Sequence, residues 1–596
     1  MGGSGGTGGS SADGGQDAGC SEGDILCDGN VQWRCDASGG REDPVNCAND
    51  HLICVDGLGC AACVPGSTSC TDGVGTFCTE DGAREESFVC DPMQGLACNP
   101  DGCVGACTPQ KLGRSHIGCE FWPTVTANSA WGTWFPFGVM VVNTTDDAAA
   151  VIVTRGDETI VERSLAPGGV EAIELPWIGD LKGPDADEWG TVIPPTTSVL
   201  SKSVDGGGAY RLRSDRPVVV TQFNTMRSSD PYGVANGCPP DLYSGECLSS
   251  SNDASLLMPT HALESTHVLM GWHAWRMEPS QNEPGVLGDF VSITAVNDDT
   301  EVVVTPACAT LPVDSEPPLE PGEPAKFTLE RGDVLQLFTD ANVAGAQWAG
   351  AAVSADHPVQ VLTGAPCVNV PDATPTCDHI EEANLPLNMV GKRYMVMAPV
   401  APSGRTRQIV RIHGIEDETL VEFDPSTVHK SITVNQGEVV ELDLLKDASD
   451  ATSPDFLVSS AKRFGVTQYM VGNQADPYDP FATGADLGDP SQTFVVPTSR
   501  YLKRYVIALP PGFDEHQVAI MAATGTEVFV DDEAIPSTEL RAIGASGLSV
   551  ARLGALSPSK RHELRSDKPF GVQMYGFGEF TSYMVPGGID LRAPSQ

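Results

Sequence analysis

The sequence predicts a mainly β protein in which four tandem β-sandwich-like repeats follow two small disulfide-rich modules. Two observations lead to this prediction: a duplicated cysteine spacing within the first 107 residues, and a fourfold recurrence of alternating Val, Ile and Thr positions between residues 118 and 590. Alternation with a period of two is typical of strands that bury one face, whereas amphipathic helices repeat every 3.6 residues. A propeller-like ring of the same repeats is the alternative architecture.

Cysteine spacing divides the first part of the chain into two modules, residues 20–62 and 63–107. Both have the spacing C-x6-C-x7-C-x11-C, so a shift of 43 residues superposes their first four cysteines. Segments this short bury too little apolar surface to fold alone, and disulfides that contribute about 2–4 kcal/mol each would stabilise them. Zinc sites require paired C-x2-C knuckles, and only Cys60 and Cys63 have that spacing. The expected disulfide cysteines are Cys20, Cys27, Cys35, Cys47, Cys54, Cys60, Cys63, Cys70, Cys78, Cys90, Cys98 and Cys103, in a connectivity that the spacing leaves open.

Residues 118–590 contain four copies of one strand pattern, at approximately 118–225, 255–365, 383–472 and 490–590. The clearest unit is V-x-I-x-A followed by T-x-V-x-V, as in residues 291–304, and the polar turn between its halves predicts a β-hairpin. A second unit closes each copy, as in Ser214-Asp215-Arg216-Pro217, and predicts a strand that begins at the proline. Each copy has the length of a β-sandwich of ~100 residues and is too long for one propeller blade.

The charge balance excludes two classes of partner. The chain has 35 Lys and Arg against 80 Asp and Glu, a net charge of −45, whereas nucleic acids and anionic membranes both require a cationic face. Apolar runs stay shorter than the roughly 18 residues of a transmembrane helix. A Gly- and Ser-rich tether, residues 1–19, comes before the first module. The cysteines predict an exported protein, extracellular or on the outer cell surface, and the sequence leaves open a leader or a lipid anchor upstream of Met1.

Three blocks of residues resemble one known family. They are Cys367 with Cys377-Asp378-His379-Ile380-Glu381-Glu382, then Gly488-Asp489-Pro490-Ser491, then Tyr575-Gly576-Phe577-Gly578. In this order they resemble the N-terminal domain of IgG Fc-binding proteins, a family with an animal mucus protein and many secreted or surface proteins of bacteria. The resemblance covers about 118–590 and implies a bacterial surface binding or adhesive module. Ala383 and Asn384 depart from the family pattern, and no mucin-type cross-linking domains follow, so gel formation is not implied.

The sequence predicts no catalytic residue, cofactor or metal site. His379 follows Cys377, but a cysteine held in a disulfide is not a nucleophile, so the histidine is interpreted as a hydrogen-bonded structural residue. The acidic clusters 185–188 and 476–479 contain no EF-hand loop and are interpreted as solvated loops, with structural calcium as the alternative. The tripeptides Arg155-Gly156-Asp157 and Arg331-Gly332-Asp333 spell an integrin-type sequence, but both fall where the repeat requires a turn.

The segments that follow the closing strands are the predicted ligand-binding loops: 224–255, 365–383, 473–490 and 576–588. Expected local disulfides, Cys238–Cys247 and Cys367–Cys377, would order two of these loops, and binding residues commonly lie on loops of a rigid scaffold. Aromatic side chains dominate binding hot spots, and the candidates here are Tyr232, Tyr243, Tyr478, Phe481, Phe577, Phe580 and Tyr583. Alternatively, these aromatic residues pack at the joints between repeats.

The predicted function is non-enzymatic: an extracellular or cell-surface binding or adhesion protein that recognises a glycan or a protein ligand through loops on a β scaffold. The alternative is a secreted carbohydrate-active hydrolase, which would require paired carboxylates about 5–9 Å apart in a cleft. A carboxylate pair in an open cleft therefore distinguishes the two functions.

Overall fold

The computed structural model describes residues 20–128, 134–185, 192–202, 207–227, 229–230, 238, 247–249, 251–276, 286–372, 374, 377–401, 406, 408–444, 455–473, 487–554 and 556–592. Within these residues the chain separates into two compact units, unit 1 with residues 20–92 and 96–108 and unit 2 with residues 93–95 and 109–592. The predicted tether, residues 1–19, lies outside the described residues.

Helices are short. Among the described residues the α-helices are α1 Pro109–Leu112 and α2 Gly179–Lys182, and single turns of 3₁₀ helix lie at Cys47–Asp50, Pro92–Gln94, Thr260–Ala262, Leu387–Met389 and Thr498–Arg500. In the described part of the chain, no helix has the length and apolar composition needed to cross a membrane.

Unit 1 contains the two disulfide-rich modules, and both have the same architecture: a three-stranded antiparallel sheet followed by a two-stranded one. The strands of module 1 are β1 Ile25–Asp28, β2 Val31–Cys35, β3 Arg41–Asn46, β4 Ile53–Val55 and β5 Gly59–Ala61. Those of module 2 are β6 Thr68–Thr71, β7 Val74–Cys78, β8 Glu85–Val89, β9 Ala97–Asn99 and β10 Gly102–Val104.

The disulfide connectivity is also the same in both modules: the first cysteine pairs with the third, the second with the fifth and the fourth with the sixth. The bridges are Cys20–Cys35, Cys27–Cys54 and Cys47–Cys60 in module 1, and Cys63–Cys78, Cys70–Cys98 and Cys90–Cys103 in module 2. The duplication seen in the spacing therefore extends to the pairing, which the spacing alone leaves open.

Seven cysteines lie outside these two sets. Two local bridges join Cys238 to Cys247 and Cys367 to Cys377, and Cys107 and Cys119 are both disulfide-bonded. Cys308 is the free cysteine of the described chain. Burial raises the pKa of its thiol to about 12, so Cys308 is a poor nucleophile near neutral pH.

Unit 2 contains four repeats, defined here by their strands as repeat 1 (118–256), repeat 2 (264–383), repeat 3 (393–494) and repeat 4 (502–586). Repeat 1 contains β11 Gly118–Phe121, β12 Phe137–Asn143, β13 Ala149–Arg155, β14 Glu158–Leu165, β15 Val170–Leu175, β16 Val199–Ser201, β17 Tyr210–Asn224, β18 Ser229–Asp230, β19 Cys247–Leu248 and β20 Asp253–Leu256. Repeat 2 contains β21 Glu264–Val268, β22 Trp275–Arg276, β23 Val286–Leu287, β24 Phe290–Ala295, β25 Thr300–Thr305, β26 Ala325–Leu329, β27 Val334–Phe338, β28 Ala352–Val368 and β29 Asp378–Ala383. Repeat 3 contains β30 Arg393–Val396, β31 Ile409–Gly414, β32 Thr419–Asp424, β33 Ile432–Val434, β34 Val439–Asp443, β35 Phe456–Ser459, β36 Phe464–Met470 and β37 Ser491–Phe494. Repeat 4 contains β38 Leu502–Ala508, β39 Glu515–Ala523, β40 Phe529–Val530, β41 Glu533–Ala534, β42 Arg541–Ile543, β43 Leu548–Leu553, β44 Arg561–Gly578 and β45 Thr581–Pro586.

Each repeat is a small β-sandwich of two antiparallel sheets that share one long strand, as the sequence predicts. In repeat 1 the long strand is β17: its first half pairs with β11 and β13, and its second half pairs with β12 and β20. Repeats 2 and 4 use β28 and β44 in the same way, and in repeat 3 the long strand is divided into β35 and β36, in two separate sheets. A further strand, β20, β29, β37 or β45, completes the second sheet of each repeat. The predicted repeat ends at 225, 365 and 472 are therefore too early, because they leave this strand out of the first three repeats.

The closing unit of the sequence pattern marks the bend at which the long strand passes from one sheet to the other. Ladder pairing of β17 stops after Ser214 and resumes at Val218. The prediction that a strand begins at the proline is wrong, because Pro217 lies inside β17, at a position where no partner needs its missing N–H. Asp215 secures the bend by accepting a hydrogen bond from the N–H of Ala150 at 2.8 Å, and the equivalent aspartate of repeat 2 binds the chain in the same way.

The predicted hairpins are also wrong. In repeat 2 the two halves of the V-x-I-x-A unit are β24 and β25, which pair with opposite halves of β28 and not with each other. The unit is therefore an arch between the two sheets. The alternation correctly predicts burial, since Val291, Ile293, Val302 and Val304 are completely buried in the sandwich. A period of two specifies which face is buried but not which strand lies beside it.

The last strand of each repeat lies at the centre of unit 2. β20, β29, β37 and β45, named here the four central strands, contact one another in closed order. The four sandwiches therefore form a ring, which combines the predicted sandwich with its ring-like alternative. The ends of unit 2 close the ring: Ser115 forms a β-bridge with Asp590, and the N–H of Leu591 donates to the carbonyl of Arg114 at 2.9 Å.

Candidate functional site

An open cleft of about 670 Å³ lies between repeats 1 and 2. One wall is the turn after β13, with Arg155, Gly156 and Asp157, and the other is the turn before β27, with Arg331 and Gly332. Strand β16 of repeat 1 pairs with β27 of repeat 2, which fixes the two walls relative to each other. The volume lies in the range of ligand sites in proteins, about 300–1,000 Å³.

Side chains of both charges line the rim of this cleft. Arg331 forms an ion pair with Asp298 at 2.7 Å, and Arg155 Nε donates to the carbonyl of Gly207 at 2.9 Å. Asp157, at the tip of the hairpin formed by β13 and β14, is exposed. The rim therefore combines arginines held in place with an accessible carboxylate.

The inner wall of the cleft is aromatic but covered. The guanidinium of Arg211 lies over the ring of Trp122, 5.5 Å from its centroid, and forms an ion pair with Glu120. Trp122 Nε1 donates to Thr260 Oγ1 at 3.0 Å, and only 3% of the residue is exposed. Little of the ring is therefore available for stacking on a ligand.

The two integrin-type tripeptides have different surroundings. Arg155-Gly156-Asp157 forms the exposed hairpin tip described above. In Arg331-Gly332-Asp333 the aspartate is buried, and its carboxylate accepts a hydrogen bond from the N–H of Glu330 at 3.0 Å and lies 3.7 Å from Lys202 Nζ. Asp333 therefore stabilises a turn, whereas Asp157 is accessible to a partner.

The three family-like blocks meet at the centre of the ring. The first, with Asp378, begins β29; the second, with Asp489, comes immediately before β37; and the third ends β44, immediately before β45. Residues from three repeats that are distant in the sequence therefore reach the four central strands. The cluster they form there is buried and polar.

Asp253 connects three of the four central strands. Its carboxylate accepts hydrogen bonds from Ser491 Oγ at 2.7 Å, from the N–H of Gln492 at 2.9 Å and from the N–H of Glu381 at 3.1 Å. Burial raises the pKa of Asp253 well above its ordinary value, and the hydrogen bonds from Ser491 and from the backbone act in the opposite direction. Asp253 is completely buried, so its role is to hold the strands together.

Glu381 connects repeat 2 to repeat 1. Its carboxylate accepts hydrogen bonds from Gln222 Nε2 at 2.9 Å and from Ser255 Oγ at 3.3 Å, and its second oxygen accepts one from Thr126 Oγ1. His379 Nε2 lies 3.4 Å from that second oxygen. The carboxylate is completely buried, and these contacts take the place of water around it.

Asp378 is buried close to other carboxyl groups. Burial raises the pKa of its carboxyl well above the ordinary value, and the nearby carboxylates of Asp489 and Asp253 raise it further. Burial also raises the pKa of Glu382, which accepts a hydrogen bond from Thr493 Oγ1 at 3.0 Å. The centre of the ring therefore holds several carboxyl groups in one water-excluded volume.

Glycines of the family-like blocks allow close packing around this centre. Gly488, with a φ of +92°, donates its N–H to the carbonyl of Gly578 at 2.8 Å, and a Cβ at Gly488 would lie 2.7 Å from the ring of Phe577. A Cβ at Gly576 would lie 2.4 Å from the ring of Tyr583. Side chains at these two positions would push the central strands apart.

The other residues of the blocks are structural in their contacts. The hydroxyl of Tyr575 accepts a hydrogen bond from the N–H of Val400 at 3.3 Å, and Pro490 leads the chain into β37. Cys367 and Cys377 form a disulfide. His379 is completely buried, and its ring stacks on Phe290 with centroids 6.1 Å apart. These contacts agree with the structural interpretation of His379.

Of the seven candidate binding aromatics, four lie outside the described residues: Tyr232, Tyr243, Tyr478 and Phe481. Phe577 and Tyr583 are buried, and Tyr583 packs edge-on against Phe513 with centroids 4.7 Å apart. Tyr583 also packs against Phe223 of repeat 1, at 6.3 Å, in an apolar cluster of repeats 1 and 4. Phe580 is half-buried, on the turn between β44 and β45. Phe577 and Tyr583 thus pack as joints between elements and leave no surface for a ligand.

The acidic clusters predicted as solvated loops lie largely outside the described residues. Of residues 185–188 the structure describes Asp185, whose carboxylate pairs with Lys182 Nζ, and residues 476–479 are not among those described.

Sequence reasoning missed the open cleft and the role of Asp253. A cleft between repeats depends on how the repeats pack, and no local pattern carries that information. The centre has a weak signal, because each copy of the repeat begins near a proline, and Asp378 and Asp489 each stand eight residues before such a proline, Pro386 and Pro497. Alignment of the repeats on these prolines would have paired the two aspartates.

Within the described residues, unit 2 is a ring of β-sandwich repeats with a buried polar centre and an open charged cleft at its surface. The family model described as IgGFc binding protein matches residues 253–576, more than half of the 596-residue chain. The chain therefore belongs to the IgGFc binding protein family, which confirms the resemblance carried by the three blocks. The matched range begins at Asp253 and includes Asp378 and Asp489. The family name points to binding rather than to catalysis.

No curated protein matches the chain. Among solved structures, an anti-sigma factor domain-containing protein from Clostridium clariflavum is 9% identical and covers 52% of this chain and 87% of its own, with a TM-score of 0.10. A second anti-sigma factor domain-containing protein is 8% identical and covers 74% of this chain and 97% of its own, also with a TM-score of 0.10. At these TM-scores neither match supports a conclusion about fold or function.

Proposed function

We propose that this protein is an extracellular or cell-surface binding protein that recognises a protein ligand at the cleft between repeats 1 and 2. The observation that carries the proposal is the cleft itself, an open volume of about 670 Å³ lined by charged side chains at fixed positions. Asp157 and Glu158, both exposed at the hairpin tip, are the proposed contact residues.

Preorganisation of the rim supports binding. Arg331 is held by Asp298 and Arg155 by the carbonyl of Gly207, so their side chains lose little conformational freedom when a ligand binds. Exposed carboxylates beside fixed arginines complement a protein loop that carries both charges. The rim of the cleft therefore favours a protein partner that carries charged side chains of both signs.

A protein ligand fits this cleft better than a glycan. Carbohydrate sites commonly offer an open aromatic face to the sugar ring, whereas Trp122 is buried and covered by Arg211. The family name makes the Fc region of immunoglobulin G the first ligand to test. The disulfide-stabilised modules of unit 1 support an extracellular location, since such bridges persist in oxidising compartments.

The hydrolase alternative is less well supported. Its paired carboxylates would have to lie in an open cleft, whereas the carboxyl cluster at the centre of the ring is buried. The open cleft does contain carboxylates, but Asp298 is held in an ion pair with Arg331, and Asp157 and Glu158 are adjacent residues exposed at a hairpin tip.

The test is binding of the full chain to immobilised immunoglobulin G Fc fragment and to arrays of extracellular proteins and glycans. The double substitution Asp157→Lys with Glu158→Lys is expected to weaken protein binding at least about tenfold, through charge repulsion at the cleft. The matched control, Glu320→Lys with Glu323→Lys, makes the same charge change on an exposed loop that does not line the cleft. Equal loss in both variants, capture of glycans only, or no captured protein at all would each overturn the proposal.

A further inference from the structure

Four buried residues occupy the same position in the four repeats. Leu256, Ala383, Phe494 and Pro586 hold equivalent places in the ladders between each central strand and its long strand. Five residues before them stand Ser251, Asp378, Asp489 and Thr581. All four of these residues are at most 1% exposed. The ring therefore places two hydroxyls and two carboxyl groups at equivalent positions, at or just before the first residues of the four central strands; this set of positions is called here one level of the ring.

Two of these four side chains lack a well-formed hydrogen bond. Both carboxylate oxygens of Asp378 and the hydroxyl oxygen of Thr581 are buried without a partner in hydrogen-bond geometry among the described residues, and only the backbone N–H groups of Asn252 and His379 lie close enough to the Asp378 carboxyl to lower its pKa. Buried polar atoms are nearly always hydrogen-bonded, and a carboxylate without a partner is the most unfavourable exception. The two side chains belong to different repeats, Asp378 to repeat 2 and Thr581 to repeat 4.

The surroundings of Asp378 are negative. The carboxylates of Asp489 and Asp253 lie close enough to repel a charge on it. Within the described residues, no lysine or arginine forms an ion pair with Asp378 or Asp253. Asp253 accepts four hydrogen bonds, from Ser491 and from three backbone N–H groups. Both of its oxygens therefore act as acceptors, and Asp253 offers the Asp378 carboxylate no hydrogen-bond donor.

We propose that a calcium ion binds at this level of the ring, between Asp378 and Asp489, with the hydroxyl of Thr581 as a further ligand. Buried carboxylates without a cationic side chain are commonly metal ligands. The donors are carboxylate and hydroxyl oxygens, which exclude the nitrogen- and sulfur-rich sites that zinc prefers. Calcium accepts irregular sets of six to eight oxygens, including hydroxyls and backbone carbonyls, whereas magnesium demands near-octahedral geometry.

The ion would act as a structural link between repeats. Asp378 belongs to repeat 2, Asp489 to repeat 3 and Thr581 to repeat 4, so one ion joins three of the four sandwiches. Because the site is closed to solvent, binding would be coupled to folding, and chelation would require partial opening of the ring. This inference is independent of the ligand proposed for the cleft.

The first measurement uses the full chain, purified and incubated with a chelator under mildly destabilising conditions, then returned to metal-free buffer. Calcium is expected to raise the Tm of unit 2 by at least about 3 °C when present far above its Kd, and magnesium at the same concentration to raise it much less. Equilibrium dialysis with radioactive calcium is expected to give one tightly bound ion per chain. Failure of the chelated chain to take up calcium would overturn the proposal.

Two variants test the position of the ion. Asp378→Asn and Asp489→Asn keep the shape of the side chains, and each is expected to abolish the calcium-dependent rise in Tm. Because the substitutions also remove repulsion, the metal-free variants are expected to melt at or above the Tm of the metal-free parent, which separates lost binding from misfolding. Glu323→Gln, an exposed carboxylate on a turn of repeat 2, is the control and is expected to retain the full response.

The competing occupant is a proton shared between Asp378 and Asp489. In that case the parent chain would bind no calcium, its Tm would respond equally to calcium and magnesium, and the proposal would be overturned. A calcium response that persists in both Asn variants would overturn it as well, since the ion would then lie elsewhere.

Discussion

Glu381 gives the sharpest test of how the centre of the ring is held together. Its carboxylate accepts from Gln222 Nε2 at 2.9 Å, from Ser255 Oγ at 3.3 Å and from Thr126 Oγ1. Glu381→Ala removes every acceptor at once and leaves these donors buried. Glu381→Gln keeps the shape of the side chain and one acceptor oxygen.

The magnitude follows from which donors can find new partners. The hydroxyls of Ser255 and Thr126 can rotate, but the amide of Gln222 is fixed, and a buried donor without an acceptor costs about 1–3 kcal/mol. The lost contacts of the Glu381 side chain add to this cost, and removal of a buried polar group offsets part of it. We expect Glu381→Ala to lower the free energy of unfolding by about 3–4 kcal/mol and Glu381→Gln by about 1–2 kcal/mol.

The assay is urea-induced unfolding of the full chain, followed by tryptophan fluorescence. Eight of the nine tryptophans lie after residue 109, so the signal reports mainly on unit 2. The control is Glu301→Ala, whose exposed carboxylate pairs with Lys326 at 2.8 Å and is expected to contribute less than about 1 kcal/mol. An alanine variant of Glu381 within about 1 kcal/mol of the parent would refute the reasoning.

Three further outcomes are expected. Gly488→Ala should lower the free energy of unfolding by about 2–4 kcal/mol, because Gly488 has a φ of +92° and a Cβ there would clash with Phe577. The control, Gly525→Ala, has a φ of +82° with open space around it and should show only the backbone cost of about 1–2 kcal/mol. Equal costs of the two variants in urea titrations would exclude the clash. Burial raises the pKa of Asp289 to about 7, so this carboxyl binds its proton more tightly in the folded state than in the unfolded state. Its contribution to stability should therefore fall by roughly 4 kcal/mol as the pH rises from about 4 to about 7. Asp289→Asn should flatten that part of the stability profile against pH, and an unchanged profile would contradict the assignment. Titration of thiols in the unreduced protein should find none that react in the native state and one, Cys308, after denaturation, and a larger count would show that bridges are missing.

The sequence allows the strands and their buried faces to be predicted, but not how the strands pair. The alternation at residues 291–304 correctly places the buried side chains of β24 and β25. It wrongly makes them a hairpin, because the strand that lies between them, β28, comes much later in the chain. Pairing across such a separation is decided by packing of the whole sandwich, which a local period does not contain.

The centre of the ring shows the same limit. Asp378 and Asp489 are prominent in the sequence because they belong to recognisable blocks, yet nothing local indicates that they face one buried volume. Asp253 precedes an ordinary strand pattern, and only the ring brings it to Glu381. The candidate ligand aromatics are predicted from their residue type and from their place on the segments after the closing strands, whereas burial of Phe577 and Tyr583 is a property of the assembled repeats.

The β-bridge between Ser115 and Asp590 has a consequence for how the four sandwiches can come apart. In a linear array each terminal repeat has one neighbour, and such arrays fray from their ends because stability is a sum of nearest-neighbour interfaces. Here repeats 1 and 4 each have two neighbours, so no repeat is terminal and none can detach without breaking two interfaces. Amide exchange is therefore expected to be as slow in the outermost repeats of the chain as in the inner two, and cutting the backbone between repeats 2 and 3 would leave all four interfaces of the ring in place.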